Sequence, residues 1–369
     1  MATTEEGVLG AEDAPLALQN RRAGGLPPPQ SSPSRGRKDD GGRAVQITLR
    51  VKRYDPEAAE DRRSWTQDYK VDVPEDSTVL DSLIQVREYV DDSLSLRCSC
   101  RGAICGSCAM RVNGHAALGC KSKVQKVLDK DNVIAVEPMG NQPVIKDLVV
   151  DMAVFWSKVR QVQPWLQPQG PEPEGEYVAP NEAMQHLVGV MGCIMCGACV
   201  SDCTVLEVDK NFIGPAALAK AYRFVADPRD GTSKDRLALY DRSGGIWDCT
   251  RCFECVQVCP KGVAPMDRIM ALRDRAIESG FTSTYGARHA EAFADSVEHS
   301  GTLNETALVV KTYGMFNFPK LLGLIPLAMR AGMKRKVPPL MHKPVEGVSH
   351  IRQMFRKAAD REKAGHPQR

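Results

Sequence analysis

Thirteen cysteines punctuate this chain of 369 residues, and their spacing is its strongest chemical signal. Cys193, Cys196, Cys199 and Cys203 stand at offsets 0, 3, 6 and 10. Cys249, Cys252, Cys255 and Cys259 repeat those offsets, and Pro260 follows the last. Upstream, Cys100, Cys105 and Cys108 are separated by four and then two residues, and Cys120 follows after a gap of eleven. Thiolates are soft metal ligands, so cysteines grouped this tightly read first as metal ligation. The spacing of the two later runs lets one loop wrap three corners of an iron–sulfur cube, while the fourth cysteine points away and reaches the neighbouring cube. The runs should therefore exchange their last members. Cys193, Cys196 and Cys199 would share a 4Fe–4S cluster with Cys259, and Cys249, Cys252 and Cys255 would share a third cluster with Cys203. The upstream group has the spacing of a 2Fe–2S centre. A zinc ribbon wants two C-x2-C knuckles, and that group has only one.

Gly102 and Gly106 suit the upstream loop, where amides turned toward sulfur need unusual φ values and no Cβ in the way. Cys98 lies two residues before Cys100 and breaks the spacing, so it is expected to be a free thiol. His115 and His186 flank the cysteine groups, but a lone histidine is more often structural than catalytic.

The elements around these groups can be read from periodicity. Residues 1–43 are rich in Pro, Gly, Ser and Arg without a repeating apolar pattern, which predicts a disordered tail. From Val45 the chain alternates at Ile47, Leu49 and Val51, and again at Tyr69, Val71 and Val73, predicting two strands. Val79, Leu83, Val86 and Val90 predict a helix. Asn113–Gly114 after Ala109–Val112 marks a tight hairpin, and Val133–Val136 supplies a further strand. This order suits a small β-grasp domain over residues 44–142. Residues 143–180 read as a link, with a turn at Pro143 entering a helix that reaches about Val159. Pro164, Pro168, Pro171, Pro173 and Pro180 then exclude regular structure. Asn181 reads as an N-cap. Proline opens helices at Pro215 and Pro265, with Gly280 as a stop, so 181–285 reads as a helical domain. The fold class is α+β, a plant-type ferredoxin β-grasp domain followed by an all-helical bacterial-ferredoxin-like domain. Residues 286–369 form a helical extension without cysteine. In it Leu321–Met333 is apolar, broken by Gly and Pro, and followed by Lys334–Arg335–Lys336. That segment suits a membrane surface, an anchor subunit or the protein's own core.

A formal charge of +3 argues against nucleic acid as a partner. No basic region followed by an apolar run marks a signal peptide, and no stretch reaches the length of a transmembrane helix. Metal ligation in a reducing compartment fits the cysteines better than a disulfide framework.

The combination resembles the iron–sulfur subunit of succinate dehydrogenase and fumarate reductase over roughly residues 45–280. The resemblance rests on Ser99–Met110, Lys146-Asp-Leu-Val-Val-Asp-Met152, Phe212-Ile-Gly-Pro-Ala216, Ala221-Tyr-Arg-Phe224 and Cys259-Pro-Lys-Gly262. It implies an electron-transfer role in the tricarboxylic acid cycle and respiratory chain. A separate FAD-containing flavoprotein would oxidise succinate, and electrons would pass singly through three clusters to quinone at a membrane anchor. The chain would then sit peripherally on the cytoplasmic face of the inner membrane, with no substrate site of its own. Fumarate reduction, or a stand-alone multi-cluster carrier, are the alternative roles. Two departures from the family stand out. Most members lack the cysteine at the position of Cys252 and carry a 3Fe–4S third cluster, whereas the thiol here predicts 4Fe–4S. The proline and tryptophan that usually follow the equivalent of Cys203, and the histidine after that of Cys249, are replaced by Thr204-Val-Leu-Glu-Val208 and Thr250.

Overall fold

In a computed structural model, residues 44–314, 316–336 and 343–363 are described. The tail expected over 1–43 lies outside them. Strand β1 (Ala44–Tyr54) buries Ile47, Leu49 and Val51 on one face and runs antiparallel to β2 (Ser64–Pro74) in continuous register. Both strands extend beyond the apolar alternation. Polar residues on their open face keep the ladder going, as where Arg50 grips Asp68 at 2.9 Å. The helix Val79–Tyr89 starts on a capping box, in which Thr78 accepts the Asp81 amide and the Asp81 carboxylate accepts the Thr78 amide. It buries Val79, Leu80, Leu83, Ile84 and Val86. Strands β3 (Ala109–Val112) and β4 (His115–Leu118) form a hairpin across Asn113 and Gly114, at φ of 50° and 84°. Those values are what a type I′ turn requires. Strand β5 (Val133–Glu137) lies parallel to β1 and antiparallel to β3, giving the sheet order β2-β1-β5-β3-β4.

The segment 143–152 departs from expectation. It forms two short antiparallel strands, β6 (Val144–Lys146) and β7 (Val149–Val150), and the helix starts only at Ala153 and ends at Gln161. The cause is Asp147, held at φ 46° in the turn and almost fully buried. Its carboxylate accepts the amides of Tyr54 and Ser95 at 3.1 and 2.8 Å and pairs with Arg53 at 2.8 Å. The pull of that buried charge overrides the helical pattern, since losing one partner of such a pair costs about 3–5 kcal/mol.

The later half is helical. Helices Pro215–Val225 and Pro265–Glu278 pack on each other over a core that includes Leu218, Tyr222, Ile269 and Leu272. Both begin with proline, and Gly280 takes φ 90° just past the end of the second. Asn181 is the first residue of its helix rather than the cap, and the cap position falls to Pro180 without a side-chain bond. The helix Ser233–Tyr240 carries Arg236, which the apolar pattern does not reveal. Arg236 is buried, pairs with Asp230 at 2.9 Å and donates to the carbonyls of Val162, Gln163 and Trp165. The proline-rich link is irregular but fastened. After helices Tyr285–Ser300 and Glu305–Tyr313 come two short ones, Phe318–Gly323 and Ile325–Met333, and then Val348–Lys363. No helix among the described residues is long and apolar enough to cross a membrane.

Candidate metal centres

The two cysteine runs share one backbone course. Two and four residues after Cys193, Met195 and Gly197 take φ of 56° and 81°. Two and four residues after Cys249, Arg251 and Phe253 take φ of 59° and 67°. Left-handed residues at alternate positions turn successive amides toward one concavity, the geometry that receives anionic sulfur. Short helices follow in both, Ala198–Ser201 and Glu254–Gln257. Gly197 adopts its φ without strain, whereas Phe253 pays about 1–2 kcal/mol for the same conformation.

The cysteines gather in two sets. One cavity is lined by Cys193, Cys196, Cys199 and Cys259, walled by Ala216 and Ala219. A second is lined by Cys203, Cys249, Cys252 and Cys255, walled by Met266 and Ile269. Each set thus takes its fourth thiol from the other run. No disulfide joins any of the thirteen cysteines. Among the described residues no three His, Cys, Asp or Glu side chains converge on a point that a single ion could fill. A zinc ion would draw its four ligands to about 2.0–2.3 Å of one point, so the spread of the thiols fits a polynuclear cluster better. Burial pushes Cys255 up to about 12 and raises Cys196, Cys199 and Cys203, and neighbouring cysteines add to the shift. Thiols in such a setting ionise only against the positive charge of bound metal.

The upstream loop is organised around Cys100. The amides of Gly102, Ile104 and Cys105 donate to its sulfur at 3.3 Å, and the Ala103 amide donates to Cys120 at 3.3 Å. The left-handed residues are Arg101, Ala103 and Gly106, at φ of 54°, 57° and 75°. The expected demand for glycine at 102 is therefore not met, because its neighbours make the turns and a Cβ at Gly102 would meet nothing closer than 3.6 Å. The Ser107 hydroxyl, 3.1 Å from the Cys105 sulfur, lowers that thiol to about 6, while burial raises Cys108 to about 12. Cys98 packs, half-buried, against the apolar cluster of Leu80, Ile84 and Leu118.

The three cysteine groups are tied end to end. Gly106 presses on the first later run, where a Cβ would stand 2.8 Å from the Cys196 Cβ and 3.0 Å from its Cα. Lys121, beside Cys120, donates to the Pro260 carbonyl, beside Cys259, at 3.0 Å. Asn141 donates to the carbonyls of Val200 and Cys203 at 3.0 Å, and the Gly140 amide donates to Ser201 at 2.9 Å. The buried Asp202 accepts the Ala116 amide at 2.7 Å. Sequence reasoning passed over Asn141, Ser201 and Asp202; the one hint was a carboxylate inside a cysteine run. His186 is held within the fold, its ring nitrogen 3.1 Å from the Ala226 carbonyl and its ring edge-on to Tyr222. His115 sits at the exposed start of β4.

Two substitutions probe this arrangement. Cys98→Ser should leave the EPR signal of the reduced 2Fe–2S centre intact, whereas Cys105→Ser should alter or abolish it; loss of the signal in Cys98→Ser would overturn the assignment. Gly106→Ala adds a clash to a strained φ and should cost about 1–3 kcal/mol of stability. It should also weaken the magnetic interaction between the two nearest reduced centres. Wild-type melting and an unchanged spectrum would show that this contact does not set their approach.

Residues 48–157 match a 2Fe-2S iron-sulfur cluster binding domain and residues 189–263 a 4Fe-4S dicluster domain. The chain is 38% identical over 226 residues to the fumarate reductase iron-sulfur subunit of Mycobacterium tuberculosis, covering 61% of this chain and 90% of that one. It is 34% identical over 228 residues to the mitochondrial succinate dehydrogenase (ubiquinone) iron-sulfur subunit of Dictyostelium discoideum, covering 59% and 78%. Among solved structures, a chain of the Mycobacterium smegmatis Sdh1 complex in the apo form superposes with a TM-score of 0.58 at 26% identity, over 64% of this chain and 97% of that one. With the cluster-binding domains in this order and relatives matched over most of their length, the chain belongs to the family of iron–sulfur subunits of succinate dehydrogenases and fumarate reductases.

Proposed function

We propose that this chain is the electron-transfer subunit of a succinate:quinone oxidoreductase, carrying electrons singly from an FAD-containing flavoprotein toward quinone at a membrane anchor. The observation that supports this reading is the end-to-end arrangement of the cysteine groups, with Gly106 against Cys196 and the two runs sharing their fourth thiols. Bound iron–sulfur clusters supply one-electron redox chemistry. The chain's own residues hold them: Cys100, Cys105, Cys108 and Cys120 for 2Fe–2S, and Cys193, Cys196, Cys199 and Cys259 for 4Fe–4S. Amide donors and Ser107 stabilise the thiolate charge, and the helices Pro215–Val225 and Pro265–Glu278 keep water away from the buried sulfurs. Fumarate reduction uses the same wiring in reverse, and the Mycobacterium tuberculosis relative bears that name.

The third cluster, held by Cys203, Cys249, Cys252 and Cys255, is assigned as 4Fe–4S. Cys252 lines the same cavity as the other three thiols, and its loop repeats the φ pattern around Cys196. The Thr204 hydroxyl donates to its sulfur at 3.5 Å. A thiol beside cluster iron is deprotonated by the metal and binds it. Thr204-Val-Leu-Glu-Val208 and Thr250 replace the proline, nearby tryptophan and histidine that usually serve the family's quinone site, so the acceptor side of this complex differs from the common pattern.

Purified with its clusters, the chain alone should not reduce a dye with succinate, and addition of the cognate flavoprotein should confer that activity. Activity of the isolated chain would refute the reading, as would a flavoprotein that neither binds it nor reduces it. For the third cluster, EPR of the fully loaded oxidised protein should lack a strong 3Fe–4S signal near g = 2, and Cys252→Ser should create one. A strong signal in the undamaged wild type would rule out the four-iron assignment.

A further inference from the structure

The stretch 316–336 carries a face that none of the described residues covers. Its two helices, Phe318–Gly323 and Ile325–Met333, bury none of their side chains. Phe316 is 83% exposed and Met333 76%, and Phe318, Leu322, Ile325, Leu327 and Met329 also stand open. A run of large apolar side chains left in water marks a surface meant for something else. Within the second helix Ile325, Met329 and Met333 recur at four-residue intervals and share one side, with Arg330 on its flank and Lys334 just past the helix end. The same spacing aligns Phe318 with Leu322.

Charge decides what the surface fits. Residues 316–336 contain Lys320, Arg330, Lys334, Arg335 and Lys336 and not one Asp or Glu. A protein interface depletes lysine around its apolar core, whereas an apolar stripe bordered by unopposed cations suits an anionic lipid surface, with chains below and phosphates at the cations. The N-terminal segment 1–43 has no net charge to set against them, with six acidic and six basic residues. A second copy would present the same cations.

We propose that this C-terminal arm docks the subunit directly onto anionic lipid, with Phe318, Leu322, Ile325, Met329 and Met333 entering the interface and Lys334–Lys336 engaging phosphate headgroups. The family's link to membranes through anchor subunits does not require this contact. The proposal goes beyond the electron-transfer reading, and its test needs neither succinate nor flavoprotein, so either can fail alone.

The test is co-sedimentation of the cluster-loaded full chain with phosphatidylcholine vesicles containing about 30% phosphatidylglycerol, against phosphatidylcholine alone, at about 0.1 and 0.5 M salt. Binding to the anionic vesicles should exceed that to the neutral ones at least tenfold and fall at high salt. Ile325→Asp combined with Met329→Asp should abolish it. Replacing Lys334, Arg335 and Lys336 by Gln should lower it at least tenfold, with visible absorption and cluster EPR unchanged in both variants. Because the Gln variant changes only exposed side chains, it keeps the test decisive if the Asp variant misfolds. Failure of the wild type to bind anionic vesicles, equal binding to neutral ones, or wild-type binding by the Gln variant would overturn the proposal.

Discussion

The close approach of the upstream cysteine loop to the first later run constrains everything around it. At Gly106 the chain passes so near Cys196 that no side chain fits between them, and φ of 75° there favours glycine. Electron tunnelling falls steeply with distance, so a subunit of this kind lives by how near its metal sites stand. The fold enforces nearness by steric exclusion at one residue, and the rest of the interface keeps that contact from opening. Met139, Val150 and Leu118 form a small apolar cluster that touches Cys120 on one side and Cys196 on the other. It closes the seam between sheet and helices.

Polar fasteners hold the seam in register. Apolar contacts tolerate sliding, but Asp202 accepting the Ala116 amide, and Asn141 bridging two carbonyls of the first run, allow only one alignment. These groups are buried or half-buried, where leaving one unpaired costs about 1–3 kcal/mol. Asp147 plays the corresponding part inside the β-grasp half, gathering Arg53, Tyr54 and Ser95 around a two-stranded turn. The cysteines add a conditional element. Burial raises Cys196, Cys199, Cys203 and Cys255, so ionising them as ligands couples metal binding to the folded state of the helical half.

The second run shows how far a repeated motif can bend its local rules. Phe253 occupies the left-handed position that Gly197 fills in the first run. Strain of that kind persists only where the surroundings over-determine the backbone, and it does so here beside four thiols that line one cavity. The repeat is thus one of backbone course rather than of residue type, and it carries Cys252 into the position of Cys196.

Much of this protein was legible from one dimension. Cysteine spacing and turn residues such as Asn113–Gly114 are local, so the chemistry, the β-grasp order and the proline-started helices follow from the chain itself. The strand pair at 144–150 was not legible, because the choice between helix and turn there is made by Arg53, ninety-four positions away. Nor were Asn141, Asp202 and Arg236, whose partners lie across the seam or on the link. Ligand type is written in short intervals of sequence. The spacing between metal sites depends on which backbones can touch, and only the tertiary packing around Gly106 decides that.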